Sequence, residues 1–320
     1  MYDWQHCMKK TPKPQEKRSN PYLFLIPYLF AVILAGLVLL NYSVAQKIEQ
    51  RSLPVRVQSA RIEPYPLFTF FYEPYITAQA AIIMDDTTKR VLYVKSPTLR
   101  LSTASTAKIM TALVAMEHFK PNDVLTVRGD GYEGTVVGFG KGEQIRFDDM
   151  LYAMMLPSGN DAAYTIAENY PGGVDAFVEQ MNDKAQELHL ENTHFADPAG
   201  LEDDTSFTTV VDLARLCSLA MQDSHFAQIV STREKVFSTI AGNTYDVFNI
   251  NKLLGVNGVI GIKTGQTTGA GGVLTTAKVE GGKLYIAVVM QSTDRFGDTQ
   301  SLLNLLTKNI SYFVPKQQAL

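Results

Sequence analysis

Three short segments carry side chains suited to acyl transfer. In Ser105-Thr106-Ala107-Lys108 a hydroxyl and an amine stand three residues apart, which on a helix is one face and one turn. A serine hydroxyl attacks a carbonyl only when a neighbouring base takes its proton. A lysine can be that base once burial or a nearby cation lowers its pKa. A helix N-terminus there adds backbone N–H groups able to stabilise an oxyanion. An isolated instance means little: ordinary residue frequencies produce about one Ser-x-x-Lys per chain of this length. A capping serine and a solvated lysine account for it better. Ser158-Gly159-Asn160 follows Pro157 and precedes a helical stretch, Asp161 to Asn169; alone it reads as a turn with an N-cap. Lys263-Thr264-Gly265 ends an apolar strand, Val259 to Ile262, with Gly269, Gly271 and Gly272 close behind. Glycine there lets a substrate backbone approach the strand edge, although a glycine-rich hairpin has the same composition.

The surrounding patterns say what must position these segments. Ala80–Met84 and Arg90–Val94 are short apolar runs around Asp85-Asp86-Thr87-Thr88, a strand-turn-strand signal. Helical spacing over Ser102 to Phe119 (Ile109, Met110, Leu113, Val114, Met116) predicts a helix capped by Ser102 or Thr103 and ended by Pro121. Helical patterns dominate from Phe147 to Leu219. Strand patterns return at Val259–Ile262, Gly272–Ala277 and Leu284–Val289, and Leu302 to Val314 reads as a final helix. Strands flanking a helical middle predict an α+β domain: an antiparallel sheet built from both ends, with a helical lobe inserted.

The chain has 320 residues and a formal net charge of −3, which gives no basis for nucleic-acid binding. Lys9, Lys10, Lys13, Lys17 and Arg18 against Asp3 and Glu16 leave residues 1–20 at +3. A 19-residue run without charge follows, Tyr22 to Leu40, about the length of a bilayer-crossing helix. Basic residues before it put the N-terminus in the cytoplasm and the rest outside. The expected organisation is a basic cytoplasmic tail (1–20), a transmembrane signal-anchor helix (21–45), an extracytoplasmic spacer (46–77) and a catalytic domain (78–320). Ser43-Val44-Ala45 also fits a signal-peptidase site, so a cleaved signal peptide is the rival reading. In the spacer, Leu67–Tyr72 is apolar enough to pack on the domain or dip into a membrane surface. Cys7 and Cys217 fall on opposite sides of the membrane, so no disulfide is expected; Cys217 keeps helical spacing with Leu213, Leu216 and Ala220 and reads as a buried thiol.

The three segments occur in order, 53 and 105 residues apart, as the S-x-x-K, S-x-N, K-T-G set of penicillin-binding proteins and class A β-lactamases. The chain resembles the low-molecular-mass penicillin-binding proteins, specifically the serine D-Ala-D-Ala carboxypeptidase family. The likeness runs from about Ala78 to Ser292 and takes in Ala80–Asp85, Ala104-Ser105 through Thr111, Ser158–Ala163, Asn192–Phe195 leading to Pro198 and Gly200-Leu201, and Gly261–Gly265. It implies a β-lactamase/DD-peptidase-like fold and removal of the terminal D-alanine from peptidoglycan stem peptides through an acyl-serine intermediate. It implies, too, that β-lactams are covalent inhibitors and that no metal or cofactor is needed. In that scheme Ser105 is the nucleophile and Lys108 its base. Ser158 relays a proton to the leaving amine, and Asn160 holds a substrate amide. Lys263 and Thr264, followed by Gly265, recognise the terminal carboxylate, while the backbone N–H groups of Ser105 and Gln266 form the oxyanion hole.

Several positions depart from the family pattern. Thr103 replaces a common proline and Ala107 a common threonine. Gln266 stands where an aromatic residue or histidine is frequent, which leaves substrate selectivity open. The chain stops about 30 residues after the expected last strand, short of the C-terminal β-rich domain and amphipathic tail that many members carry. The N-terminal helix would then be the anchor. Three rivals remain. A β-lactamase would need a deacylating glutamate, and no Glu-x-x-Leu-Asn segment lies between Ser158 and Lys263. A D,D-endopeptidase would use the same residues on a cross-link. A non-catalytic wall-binding module would be expected to lack part of the site. His189 and His194 fit a surface turn better than a metal site, and Glu202-Asp203-Asp204 fits a solvated loop better than a calcium site.

Overall fold

The computed structural model describes residue 22 and residues 25–50, 64–201 and 204–314. Two units are distinguished, Met1–Arg61 and Ile62–Leu320. Cys7 and the Glu202-Asp203 pair lie outside the described residues. Among the described residues of the first unit is the helix α1 (Leu25–Gln50). Its 23-residue stretch Leu25–Lys47 is long and apolar enough to cross a membrane, and none of it is buried within the protein.

The second unit begins with β1 (Tyr65–Phe68), β2 (Ala80–Asp85), β3 (Val91–Lys95) and β4 (Leu101–Ser102), then a 3-10 turn over Ala104–Ala107 and α2 (Lys108–His118). The lobe that follows holds β5 (Val124–Thr126), β6 (Gln144–Arg146), α3 (Phe147–Met155), α4 (Asn160–Asn169), α5 (Gly173–Glu187), β7 (Phe207–Thr208), α6 (Val210–Ala220), α7 (Ser224–Ser231), β8 (Glu234–Ser238) and β9 (Thr244–Phe248). The chain closes with β10 (Val259–Thr267), β11 (Gly271–Glu280), β12 (Lys283–Ser292), α8 (Arg295–Leu306) and β13 (Ile310–Phe313).

The main sheet is antiparallel throughout, in the order β10-β11-β12-β2-β3, so its strands come from both ends of the domain as expected. Alternation along β2 and β12 explains the layers, since successive side chains leave a strand on opposite faces. Ala80, Ile82, Met84, Ile286, Val288 and Met290 enter the core shared with the helical lobe. Ala81, Ile83, Tyr285, Ala287 and Val289 pack instead with Leu302, Leu303, Leu305 and Leu306 of α8. Both faces are covered, which is why these strands read as unbroken apolar runs. The turn between β2 and β3 is closed by Asp85, whose carboxylate accepts from Thr88 N–H and Oγ1–H, each at 2.7 Å. Cys217 is buried on α6, and burial pushes its thiol up to about 12.

Three local expectations need correction. The helix predicted over Ser102–Phe119 starts only at Lys108; before it, Ala104 takes φ +43° and the chain runs through the 3-10 turn. Thr103 makes no side-chain cap, and Thr106 instead bonds back to the Thr103 carbonyl. The segment Leu302–Val314 is not one helix: α8 starts earlier, capped by Asp294, and the chain then turns into β13. β13 pairs with β1, so Tyr65–Phe68 packs on the domain, one of the two fates open to the apolar stretch Leu67–Tyr72. Thr77 and Ala78 are likewise held by the Asp298 carboxylate. Finally, β8 and β9 form a hairpin in a stretch that had suggested no strands.

Candidate active site

Ser105 sits in the 3-10 turn, half-buried, between strand β10 and the loop at Gly200. Two glycines allow that approach. Gly200 has φ +78°, and a Cβ there would sit inside the Ala104 carbonyl. A Cβ on Gly265 would meet Ala104 Cβ at 2.9 Å and Ser105 N at 3.0 Å. In a 3-10 turn residues three apart eclipse, and Lys108 Nζ accordingly lies 3.0 Å from Ser105 Oγ.

Lys108 is fully buried, and the three donors of its ammonium are all placed: Ser105 Oγ at 3.0 Å, Asn160 Oδ1 at 2.7 Å and the Ala199 carbonyl at 2.7 Å. Burial lowers its pKa to about 7, against the pull of the Asp197 and Asp161 carboxylates. An amine poised there is substantially neutral at physiological pH and within reach of the hydroxyl it would deprotonate.

The opposite wall is the Ser158-Gly159-Asn160 turn. Ser158 has φ +72°, and Gly159 is squeezed so that a Cβ would lie 2.8 Å from both the Ala153 carbonyl and Val137. Asn160 is the first residue of α4 and not a residue before it; its Nδ2 donates to the Glu133 carbonyl at 2.6 Å, fixing the amide so that Oδ1 faces Lys108. Ser158, two residues before Asn160, is buried, and it is not one of the three hydrogen-bond partners of Lys108.

Lys263 and Thr264 are buried on β10, at the sheet edge. Lys263 Nζ donates to the Thr264 carbonyl at 3.1 Å. Burial, then the positive charges of Lys108 and Arg295, hold its pKa well below the ordinary lysine value. Gln266 is exposed on the same strand and accepts a hydrogen bond from Arg295 Nη1. Arg295 Nε is buried without a hydrogen-bond partner among the described residues.

The structure joins Ser105, Lys108 and Asn160 by hydrogen bonds, lays Gly265 of β10 against the turn that carries Ser105, and brings Lys263 within the electrostatic reach of Lys108; Ser158 is tied to the group through its place two residues before Asn160. Arg295 was missed, because one arginine starting a helix carries no motif. The Ala199 and Glu133 carbonyls were missed for a different reason, since backbone acceptors have no residue signature. Chemically the arrangement offers a nucleophile with a poised base, a cationic rim for an anionic terminus, and a sheet edge along which extended peptide can lie.

Comparison with known proteins agrees. The sequence model of the D-alanyl-D-alanine carboxypeptidase family matches residues 69–294. A D-alanyl-D-alanine carboxypeptidase of Streptomyces sp. (strain K15) is 34% identical over 255 residues, covering 72% of this chain and 88% of that one. A D-alanyl-D-alanine endopeptidase of Escherichia coli (strain K12) is 33% identical, covering 70% and 74%. The chain spans less than two thirds of the length of two further curated carboxypeptidases, 57% and 63%. The crystal structure of the Streptomyces K15 DD-transpeptidase superposes with TM-score 0.69 at 31% identity, over 73% of this chain and 98% of that one.

Proposed function

The chain belongs to the D-alanyl-D-alanine carboxypeptidase family of S11 peptidases, and from that premise we propose that it removes the terminal D-alanine of peptidoglycan stem peptides through an acyl-Ser105 intermediate. The observation that carries this reading is the Lys108 amine, buried, poised near neutrality and 3.0 Å from Ser105 Oγ. Neutral Lys108 takes the Ser105 proton as Oγ attacks the carbonyl between the two D-alanines. The developing oxyanion is received by the backbone N–H groups of Ser105 and Gln266. Ser158 returns a proton to the departing D-alanine amine. Asn160 orients Lys108 and holds a substrate amide. Lys263, Thr264 and Arg295 take the terminal carboxylate, and Arg295 Nε, which has no partner among the described residues, supports that assignment. Gly265 lets β10 pack directly against the turn that carries Ser105. Water then cleaves the ester, and β-lactams arrest the enzyme at the same acyl stage.

The E. coli endopeptidase relative favours a second reading, cleavage of cross-links by the same residues. Assaying a pentapeptide and a cross-linked dimer side by side decides between them. Faster release of D-alanine from the pentapeptide is expected; preferential cleavage of the dimer would make the protein an endopeptidase.

The helix α1 is proposed as a single-pass anchor with residues 1–20 in the cytoplasm and the catalytic domain outside. Its uninterrupted apolar length and the basic residues before it support that orientation. Sequencing the mature N-terminus tests it: an intact Met1 end is expected, and a chain starting at Gln46 would mean a cleaved signal peptide.

A further inference from the structure

Two carboxylates behind the site are built alike. Asp161, on α4, is 1% exposed and accepts from the backbone N–H groups of Val137 (3.0 Å), Gly138 (2.8 Å) and Phe139 (3.3 Å). The loop it pins supplies the Glu133 carbonyl to Asn160 Nδ2 and the Thr135 carbonyl to the Asn160 backbone N–H. Gly134 in that loop, at φ +73°, comes so close that a Cβ would lie 2.7 Å from Asn160 Nδ2. Asp197 is 4% exposed and accepts from the N–H groups of Ala199 (2.7 Å), Gly200 (2.6 Å) and Leu201 (2.9 Å). Its loop supplies the Ala199 carbonyl to Lys108 Nζ and lays Gly200 against the turn that carries Ser105.

We propose that Asp161 and Asp197 are paired positioning residues for acylation: each pins a loop whose carbonyls hold the Lys108–Asn160 unit, and each places a negative charge behind the buried amine. Neither touches the reacting atoms. The reasoning is electrostatic as well as geometric. A buried ammonium is strongly disfavoured unless opposite charge or hydrogen bonding offsets its desolvation. The charges that raise the affinity of this amine for its proton are the two aspartates, while Lys108 in turn lowers the pKa of Lys263 across the site. Without the aspartates Lys108 would still be a base, but a weaker one, deprotonated further into acid. The pair thus keeps the base strong enough to accept a serine proton while burial keeps it neutral near pH 7.

Asp212 provides the control. It is 3% exposed and also pins a loop, accepting from Asn192 N–H (2.8 Å) and Thr193 Oγ1 (3.0 Å), yet it is not among the charges acting on Lys108. The experiment is stopped-flow acylation of the detergent-solubilised full chain by a fluorescent penicillin between pH 5.5 and 9, for wild type, Asp161→Asn, Asp197→Asn and Asp212→Asn. Asparagine keeps an acceptor oxygen and removes the charge. In each of the first two variants the acid limb is expected about one pH unit lower, the small end of the effect of an adjacent opposite charge. Scaled to its own plateau, the variant rate at pH 6 then exceeds the wild-type rate about fivefold. Asp212→Asn should keep the wild-type limb. Limbs that coincide in all four proteins, or one that moves as far in Asp212→Asn, would overturn the proposal and leave the aspartates as structural caps. Should Asp197→Asn not fold, Asp161→Asn carries the test with the same outcomes. The proposal rests on Lys108 being the base. Absence of any wild-type limb near pH 7 would refute that reading, whereas a limb near 7 indifferent to both aspartates refutes only this one.

Discussion

Replacing Lys108 by methionine removes the amine bonded to Ser105 and probes catalysis and stability together. Burial holds that amine at about 7 when its ordinary value is 10.5. The difference corresponds to about 5 kcal/mol by which folding disfavours the ammonium form. The sign follows from proton counting. Between pH 7 and 10.5 the unfolded chain carries a proton on Lys108 that the folded chain has lost, so wild-type stability rises with pH across that window. Methionine has no proton to exchange. From pH 6 to pH 9 the wild type should therefore gain about 2 to 3 kcal/mol on the variant. Absolute stability is the poorer readout, because methionine leaves the Asn160 and Ala199 oxygens without their donor, at about 1–3 kcal/mol each. Urea unfolding of the solubilised chain at pH 6 and pH 9, followed by near-ultraviolet circular dichroism, gives the difference of slopes directly. Acylation should be lost at both pH values. Parallel pH dependence in the two proteins, or acylation that persists in the variant, would refute the reasoning.

Three further outcomes follow from the geometry. Gly200→Ala places a Cβ inside the Ala104 carbonyl at φ +78°; a loss of about 2–4 kcal/mol in denaturant unfolding and at least tenfold slower penicillin acylation are expected. Arg295→Leu should raise KM for a pentapeptide by about tenfold or more with a smaller change in kcat, since a hydrogen bond between charged groups is lost; unchanged KM would remove Arg295 from carboxylate recognition. Asp298 accepts from Thr77 N–H and Oγ1–H, Ala78 N–H and Ser292 Oγ–H, so Asp298→Ala should lower stability by about 3 kcal/mol at pH 7. Those hydrogen bonds hold its pKa below the ordinary aspartate value despite burial. Its contribution is thus present above pH 4 and fades as pH falls through the folded value, so wild type and variant should converge in acid.

The catalytic segments were legible because their chemistry lies in side chains at fixed spacing. Ser105 and Lys108 meet at 3.0 Å even though the turn between them is 3-10 and not the predicted α-helix, since three residues bring side chains together in either geometry. β2, β11 and β12 were legible because both faces are buried, leaving runs of apolar residues. What escaped depends on tertiary contact. Ala104 adopts φ +43° where Gly200 and Gly265 press on its turn, and no local pattern announces that. β1 and β13 are four-residue strands that exist by pairing with each other across the length of the domain. The Ala199 and Glu133 carbonyls are contributed by loop shape, and the aspartates that set that shape look in the sequence like ordinary loop and helix residues.

The most direct test of the central claim is mass spectrometry of the chain quenched during turnover of a D-Ala-D-Ala pentapeptide, with free D-alanine measured in the same sample. The account predicts a tetrapeptidyl adduct on the fragment containing Ser105, D-alanine release in step with turnover, and neither in Ser105→Ala. An adduct on another residue, or D-alanine released at the wild-type rate by Ser105→Ala, would contradict it.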